Sequence, residues 1–269
     1  MRGEEPEELR QVRGARVPIL KALGRAPSSD EITGYQVVAE HLWRVQRYKC
    51  CYCEHKIKKG FHDVEHYRPK ARADRSPGCP ETHGYWWLAY SWSNLLFACP
   101  ACNRSGKNDR FPIAVGGTPL RPGDDAPGEE TPLLIDPAGE VNPVSFIKFV
   151  RSSMAAGGPS LWFARPRTND PRAAITIDVL KLNSQELLEL RTDYVETILE
   201  PFLAALQSSV AAHDSASLET AFARALCLLG RGLPYVGLTY DVLRTTVSDA
   251  ALNSALGRSW PAPALVGAQ

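Results

Sequence analysis

The sequence has no apolar run of about 18 residues, the length at which a helix can span a bilayer. It also has no charged-then-apolar leader, because the opening stretch MRGEEPEELR is strongly polar. The net charge is only +1, which argues against a uniformly basic, nucleic-acid-coating surface. These absences predict a folded protein without a membrane span or secretory signal, and we place it in the cytoplasm.

The sequence also contains no GxxxxGK[ST] pattern, the phosphate-binding loop of many ATPases, so any ATP handling is expected to reside in a partner. Charge is nevertheless concentrated locally. From Arg44 to Arg75 there are ten Lys or Arg against four Asp or Glu, a surplus of six. This segment is where an anion-binding surface is expected, and an ordinary solvated charged face is the alternative.

Seven cysteines in a cytosolic chain are not expected to form a disulfide framework, because that compartment keeps thiols reduced. Four of them form two CxxC pairs, Cys50 with Cys53 and Cys99 with Cys102. Two such pairs are the ligand set of a tetrahedral structural zinc, with an iron-sulfur or rubredoxin-like iron site as the alternative. Cys227, in the apolar stretch ALCLL, is predicted to be a small core residue.

Periodicity and turn signals predict the elements around these pairs. A helix is expected over residues 28–49, with Ser28 and Glu31 spaced as a capping box, and a hairpin with Gly60 at its tip. The stretch THGYWWLAYSWSN predicts a short buried helix, NLLFAC a buried strand, and ACNRSGK the start of the next helix. Residues 111–132 predict a long Pro- and Gly-rich surface loop.

The remainder predicts strands in TPLLIDPAGEVNPVSFIKFV and GPSLWFARPR, followed by helices from about residue 172 to 256. We therefore expect an α+β, mainly helical protein in three parts. These are an N-terminal segment and helix (1–45), a core containing the four cysteines and the Pro- and Gly-rich loop (46–137), and a mostly helical region suited to partner docking (138–269).

Between and beside the cysteine pairs lie DVEHYRPK, SNLL and CNRSGK, which give an acid followed by a histidine, an asparagine, and a second asparagine. This order resembles the zinc-containing HNH endonucleases with a ββα-metal core. More closely, the run from Tyr48 to Pro137 is similar to the PtuB-type HNH nucleases of Septu and related retron-associated anti-phage systems. A weaker similarity extends into AAITIDVLKLNSQELLELR.

The resemblance implies a role for each site residue. His66 would be the general base, and an unperturbed histidine pKa near ~6.5 suits that task at neutral pH. Glu65 and Asn103 would hold a catalytic Mg²⁺ or Mn²⁺ through oxygen atoms. Asn94 would orient His66 or pin the adjoining loop. The phosphate would be met by Lys107, with Arg104 or Arg68.

Some alternatives stay open at this point. Glu65 and His66 are adjacent and would face opposite sides of a regular strand, so the strand must bend or end here, near Pro69. Asp63 shares the face of Glu65 and is an alternative carboxylate ligand. His62 is a second candidate for the site histidine.

The resemblance implies an effector of anti-phage defence that cuts nucleic acid, DNA being favoured and RNA the alternative. Families of this kind work with an ABC-type ATPase, here of the PtuA type. The rival interpretation is a non-catalytic zinc-knuckle module that binds nucleic acid or protein.

Overall fold

A computed structural model describes residues 3–61, 63–153 and 157–263. Within these ranges the chain is mainly helical and contains two antiparallel sheets of two strands each, in agreement with the predicted α+β class. No helix in the described ranges is both long and apolar enough to cross a membrane. The helices are α1 (Glu7–Ala22), α2 (Ala39–Val45), α3 (Pro171–Val179), α4 (Gln185–Tyr194), α5 (Glu200–Ala211), α6 (Ser215–Leu226), α7 (Val236–Thr246) and α8 (Asp249–Leu256).

The first helix is α1, which the sequence patterns did not predict. Acidic side chains in its first turn and Lys21 in its last complement the helix dipole. The helix expected over residues 28–49 is wrong, because only α2 and a preceding 3₁₀ turn, Tyr35–Val38, are helical. Gly34 adopts a left-handed conformation with φ of 93°, which ends any helix that would begin at residue 28. The Ser28 amide does donate to Glu31 Oε2 at 2.7 Å, one half of the expected capping box.

The first sheet pairs β1 (Asp63–His66) with β2 (Leu95–Ala98), in a register that places Glu65 opposite Leu96. All four residues of β2 are buried, which confirms the predicted buried strand. The predicted hairpin at Gly60 is wrong, because the partner of β1 comes from β2, across an insertion of residues 67–94. Within that insertion two 3₁₀ turns, Trp86–Leu88 and Trp92–Asn94, replace the predicted helix.

After β2 the chain forms one short π-helical segment, Ala101–Lys107, which we call the knuckle helix. The following Pro- and Gly-rich segment is a surface loop, as predicted, with residues 121–129 exposed. Its ends are packed: Phe111 and Ile113 are buried at one end and Glu130 at the other. The loop is therefore anchored to the protein on both sides of its exposed part.

The second sheet pairs β3 (Ile147–Ser153) with β4 (Ser160–Pro166), and helices α3 to α8 follow, confirming the predicted helical region. The described residues form two main hydrophobic cores. The first extends from Leu9 to Leu187 and so includes residues on both sides of the predicted division at 137/138. The second packs the later helices together, from Trp162 to Trp260. The three-part division of the chain remains a prediction.

The first cysteine pair contacts the helical region directly. The backbone amide of Gly237, in the first turn of α7, donates to Glu54 Oε2 at 2.8 Å. The adjacent His55 Nδ1 lies 2.7 Å from the hydroxyl of Tyr235. Glu54 therefore caps the N-terminus of α7 from almost two hundred residues away in sequence, and the cysteine-rich region and α7 are held together.

Candidate metal centre and catalytic cleft

The two cysteine pairs meet in space. The sulfur atoms of Cys50, Cys53, Cys99 and Cys102 all lie within 4.8 Å of one another, and Cys53 and Cys99 are 3.9 Å apart. Tetrahedral zinc with bonds of about 2.3 Å places its sulfur ligands roughly 3.8 Å apart, so the spacing fits. The amide of Cys102 donates to Cys99 Sγ at 3.3 Å, within a tight turn that presents both thiols to one point. The four cysteines can therefore hold a metal ion such as zinc.

The remaining cysteines lie apart from this group. Among the described residues, the four paired thiols are the only group of three or more His, Cys, Asp or Glu side chains close enough together to hold one metal ion. Cys51 is buried beside them, and burial raises the pKa of its thiol well above the usual value. Cys227 is exposed, so its predicted place in the core is wrong. The flanking apolar residues of ALCLL face inward instead, with Ala225 and Leu228 buried.

Three of the predicted site residues line one cleft of about 280 Å³ at the end of β1. Glu65 and His66 contribute from the end of β1, and Asn103 from the first half of the knuckle helix. The strand ends at His66, which allows two adjacent side chains to reach the same cleft. Ser29 and Tyr35 of the N-terminal segment also line the cleft, and the remaining lining includes Lys70, Arg72 and Asp109.

His66 is held in a single tautomer by the backbone. Its Nε2 lies 3.0 Å from the carbonyl oxygen of Ala89, in the insertion between the two strands. A carbonyl only accepts, so Nε2 carries the proton of the neutral ring and Nδ1 keeps its lone pair. The edge of the His66 ring also packs against Tyr35, with centroids 4.5 Å apart. Burial lowers the pKa of His66 to about 3, so the imidazole is uncharged at neutral pH with Nδ1 unprotonated. This pKa lies well below the ~6.5 of an unperturbed histidine expected from the sequence, because the buried ring disfavours the charged form, and it makes His66 a weaker base than expected.

Glu65 is buried and is held by Tyr52, which lies within the first cysteine pair, and by Lys107, which follows the second. Lys107 Nζ, at the end of the knuckle helix, lies 2.7 Å from Glu65 Oε1. The hydroxyl of Tyr52, between Cys50 and Cys53, donates to the same oxygen at 3.1 Å. Burial raises the pKa of Glu65, and the Lys107 ammonium opposes that shift. Since a carboxylate has about four lone-pair sites, these two donors leave it acceptor capacity for a cation.

Two of the three cations expected to meet a phosphate are directed into the protein. Lys107 is fully buried and, besides Glu65, donates to the carbonyl oxygen of His66 at 2.9 Å. Arg68 is buried and pairs with Glu130, with Nε 2.9 Å from Oε2. In this structure neither side chain is accessible to a phosphate, so their predicted contact is not supported. Both are engaged by buried carboxylates, which sequence spacing does not reveal.

The third cation, Arg104, is 71% exposed and forms a bidentate ion pair with Asp63. Asp63 also accepts from Asn103 Nδ2 at 2.9 Å. The cations that do line the cleft are Lys70 and Arg72, which the sequence patterns did not single out. Their position in the basic segment 44–75 was the available signal. His62, the second candidate histidine, lies outside the described residues.

Asn94 is buried and pins the chain just after β1. Its Oδ1 accepts from the amide of Arg68 at 2.7 Å, and its Nδ2 donates to the carbonyl oxygens of Arg68 and Leu88. Leu88 directly precedes Ala89, whose carbonyl binds His66. Of the two roles considered for Asn94, these contacts support pinning of the loop. Asn94 thereby holds both the end of β1 and the turn that carries the Ala89 carbonyl.

The chain is similar to two proteins of Bacillus mycoides (strain KBAB4). Over 103 residues, 38% of this chain, it is 39% identical to the Septu protein PtuB. Over 144 residues, 53% of this chain, it is 27% identical to the Septu protein PtuA. The matched segments cover 34% of that PtuB and 18% of that PtuA. No protein-family model and no solved structure matches the chain.

Proposed function

We propose that this chain is a metal-dependent HNH endonuclease that hydrolyses phosphodiester bonds, with DNA as the favoured substrate. The order β1, β2, knuckle helix supports a ββα-metal core, in which the four-cysteine centre would fix the start of that helix. The observation that carries the proposal is the setting of His66. Its proton is held on Nε2 by Ala89, and the ring lines the same cleft as Glu65 and Asn103.

Phosphodiester hydrolysis needs a base for the attacking water and positive charge around the phosphate. In this proposal Nδ1 of His66 accepts the proton of that water. Lys70 and Arg72 line the cleft and provide the positive charge that attracts the phosphate. In this proposal His66 accepts the proton, and Lys70 and Arg72 bind the phosphate.

Glu65 and Asn103 are proposed to hold the catalytic cation. Carboxylate and amide oxygens are hard donors, which suit Mg²⁺ or Mn²⁺ better than a thiolate-seeking metal. When bound, such an ion supplies Lewis-acid stabilisation of the charge that develops on the leaving oxygen. The four thiols suit zinc instead, so each metal would bind at the site whose ligand atoms it prefers.

We propose an effector role in Septu-type anti-phage defence, with an ABC-type ATPase of the PtuA type as partner. The similarity to both a PtuB and a PtuA supports this assignment. The helical region, which Glu54 joins to the first cysteine pair, is a candidate docking surface. Co-expression of the tagged chain with a PtuA-type neighbour should recover both in one complex, and separate elution of the two would contradict it.

The nuclease is tested with zinc-loaded protein on plasmid DNA and on total RNA, in Mg²⁺ and in Mn²⁺, with and without the co-expressed partner. His66→Ala should lower the cleavage rate by about 10²- to 10⁴-fold, the usual contribution of a general base. His41→Ala, which removes an exposed histidine outside the cleft, is the matched control and should cut normally. Zinc content and circular dichroism verify that each variant is folded.

His66 is buried, so Asn103→Ala at a half-buried position serves as a second variant. Metal-dependent cutting that both variants lose would support the nuclease and identify its polymer. Equal cutting by wild type and both variants would indicate a contaminant and overturn the proposal. Retained nucleic-acid binding without any cutting, with the partner present, would favour the non-catalytic binding module.

A further inference from the structure

We propose that Asp63 is a positioning residue, which fixes the side-chain amide of Asn103 so that its oxygen faces the catalytic cation. The inference rests on the proposed function, because it concerns the same cation. Asp63 lies at the start of β1, two residues before Glu65, and its side chain contacts Asn103 of the knuckle helix. It adds a specific task to a residue whose alternative role is direct metal ligation.

The geometry is a three-residue chain of contacts. Asp63 Oδ2 accepts from Asn103 Nδ2 at 2.9 Å and from Arg104 Nε at 2.9 Å. Arg104 Nη2 lies 2.5 Å from Asp63 Oδ1, which completes a bidentate ion pair. The Asp63 side chain is only 11% exposed, whereas that of Arg104 is 71% exposed. Arg104 therefore covers Asp63 from the solvent side and holds the carboxylate in place.

The chemistry of an ionised carboxylate decides which way the amide points. A carboxylate only accepts hydrogen bonds, so it must face the NH₂ group of Asn103 and not its oxygen. The amide is planar, with nitrogen and oxygen on different sides of one carbon, so the oxygen is turned away from Asp63. Without such a partner, an asparagine can present either atom to a cation, and the NH₂ group is no ligand.

The same contacts argue against Asp63 as a direct ligand. Both of its oxygens are bound by Arg104, whose charge balances its own. Glu65 and Asn103 line the cleft, whereas Asp63 is not among the described residues that do. Asp63 thus acts on the cation through Asn103, as an outer partner that orients a ligand.

The test measures Mn²⁺ affinity of the zinc-loaded full chain by titration calorimetry or electron paramagnetic resonance. Asp63→Ala should weaken Mn²⁺ binding by about 10- to 100-fold, the range typical of lost ligand-orienting partners. Glu81→Ala is the matched control, since Glu81 is a half-buried acid in a bidentate ion pair with an exposed arginine, Arg121, and does not line the cleft. A loss of equal size in both variants would mean that charge alone is responsible, and would overturn the proposal.

A double-mutant cycle separates orientation from ligation. In the Asn103→Ala background, Asp63→Ala should have little further effect on Mn²⁺ affinity, because the amide that Asp63 orients is already gone. A further loss as large as in the wild-type background would make Asp63 a ligand in its own right and overturn the positioning role. Arg104→Gln, at an exposed position, should give a smaller loss with the fold intact, even if Asp63→Ala proves unstable.

The side-chain amide signals of Asn103 in ¹⁵N-labelled protein give a readout that does not depend on metal. Asp63→Ala and Arg104→Gln should both shift them, whereas Glu81→Ala should not. Unchanged signals in the first two variants would count against the contact. If the cycle is coupled but no nucleic acid is cut, the nuclease proposal fails while the positioning role stands. If His66-dependent cutting is seen but the cycle is additive, only the positioning role fails.

Discussion

Lys107 Nζ lies 2.7 Å from Glu65 Oε1, and both side chains are buried. This ion pair joins the last residue of the knuckle helix to β1, so it connects the metal-binding cysteines to the cleft. Its effect on stability differs from that of a surface ion pair. Removing one partner leaves an uncompensated charge in the interior, which costs far more than the pair contributes when intact.

Lys107→Met should therefore lower the free energy of unfolding by about 3–5 kcal/mol. The double variant Glu65→Gln/Lys107→Met should recover part of that loss, because no buried charge remains. Urea unfolding of the zinc-loaded protein measures both, with Lys58→Met as an exposed control that should unfold like wild type. An unchanged unfolding midpoint in Lys107→Met would contradict the buried pair.

Basic residues of the segment 44–75 should separate into binding and structural classes. Arg72 lines the cleft, so Arg72→Ala should weaken DNA binding and reduce the slope of log affinity against log salt by about 1. Arg68→Met should leave that slope unchanged. It should destabilise the fold by about 3–5 kcal/mol, because the buried carboxylate of Glu130 loses its ion-pair partner. Filter binding over a salt series, beside urea unfolding, distinguishes the two. A reduced slope in folded Arg68→Met would restore Arg68 as a phosphate contact.

Metal content should depend on four cysteines only. We expect one zinc per chain in the wild type, in Cys79→Ser and in Cys227→Ser, and its loss in Cys99→Ser and Cys53→Ser. The reason is that a tetrahedral structural site needs all four thiolates. Elemental analysis of freshly purified protein gives the count. Iron in place of zinc, or full zinc in Cys99→Ser, would contradict the assignment.

Glu54 should stabilise α7 although the two are distant in sequence. Glu54→Ala removes the acceptor of the Gly237 amide and also the ion-pair partner of the buried Lys49, so it should cost at least the ~0.5–2 kcal/mol usual for loss of an N-terminal cap. Glu40→Ala, which breaks exposed ion pairs only, should stay within about 0.5 kcal/mol of wild type. Hydrogen exchange should accelerate in the first turn of α7 in the former variant. Equal exchange there in both variants would disprove the cap.

The sequence predicted the parts of the site that depend on local spacing. CxxC pairs form tight turns by themselves, so their meeting was predictable, and the order of Glu65, His66 and Asn103 pointed to a shared cleft. The direction in which a side chain points was not predictable. Whether Lys107 faces solvent or Glu65 depends on how the knuckle helix is rotated against β1, and no periodicity in seven residues determines that.

Long-range partners were equally inaccessible. The proton on His66 Nε2 is fixed by the carbonyl of Ala89, and a backbone oxygen leaves no mark in a residue pattern. The prediction for the N-terminal region was wrong for another reason. Apolar spacing suggested one helix over residues 28–49, but the left-handed Gly34 breaks it, while the polar α1 lacked a clear apolar face.

Ser29 and Tyr35 form a wall of the cleft that lies far in sequence from the strand bearing His66. In a nuclease built this way, the width of the entrance and the chemistry inside are encoded by separate stretches of the chain. Substitutions in residues 28–38 would then change the cleft wall, and at Tyr35 they would also change the packing of the His66 ring. The cleft wall and the proposed base are thus coupled through Tyr35, although separate stretches of the chain encode them.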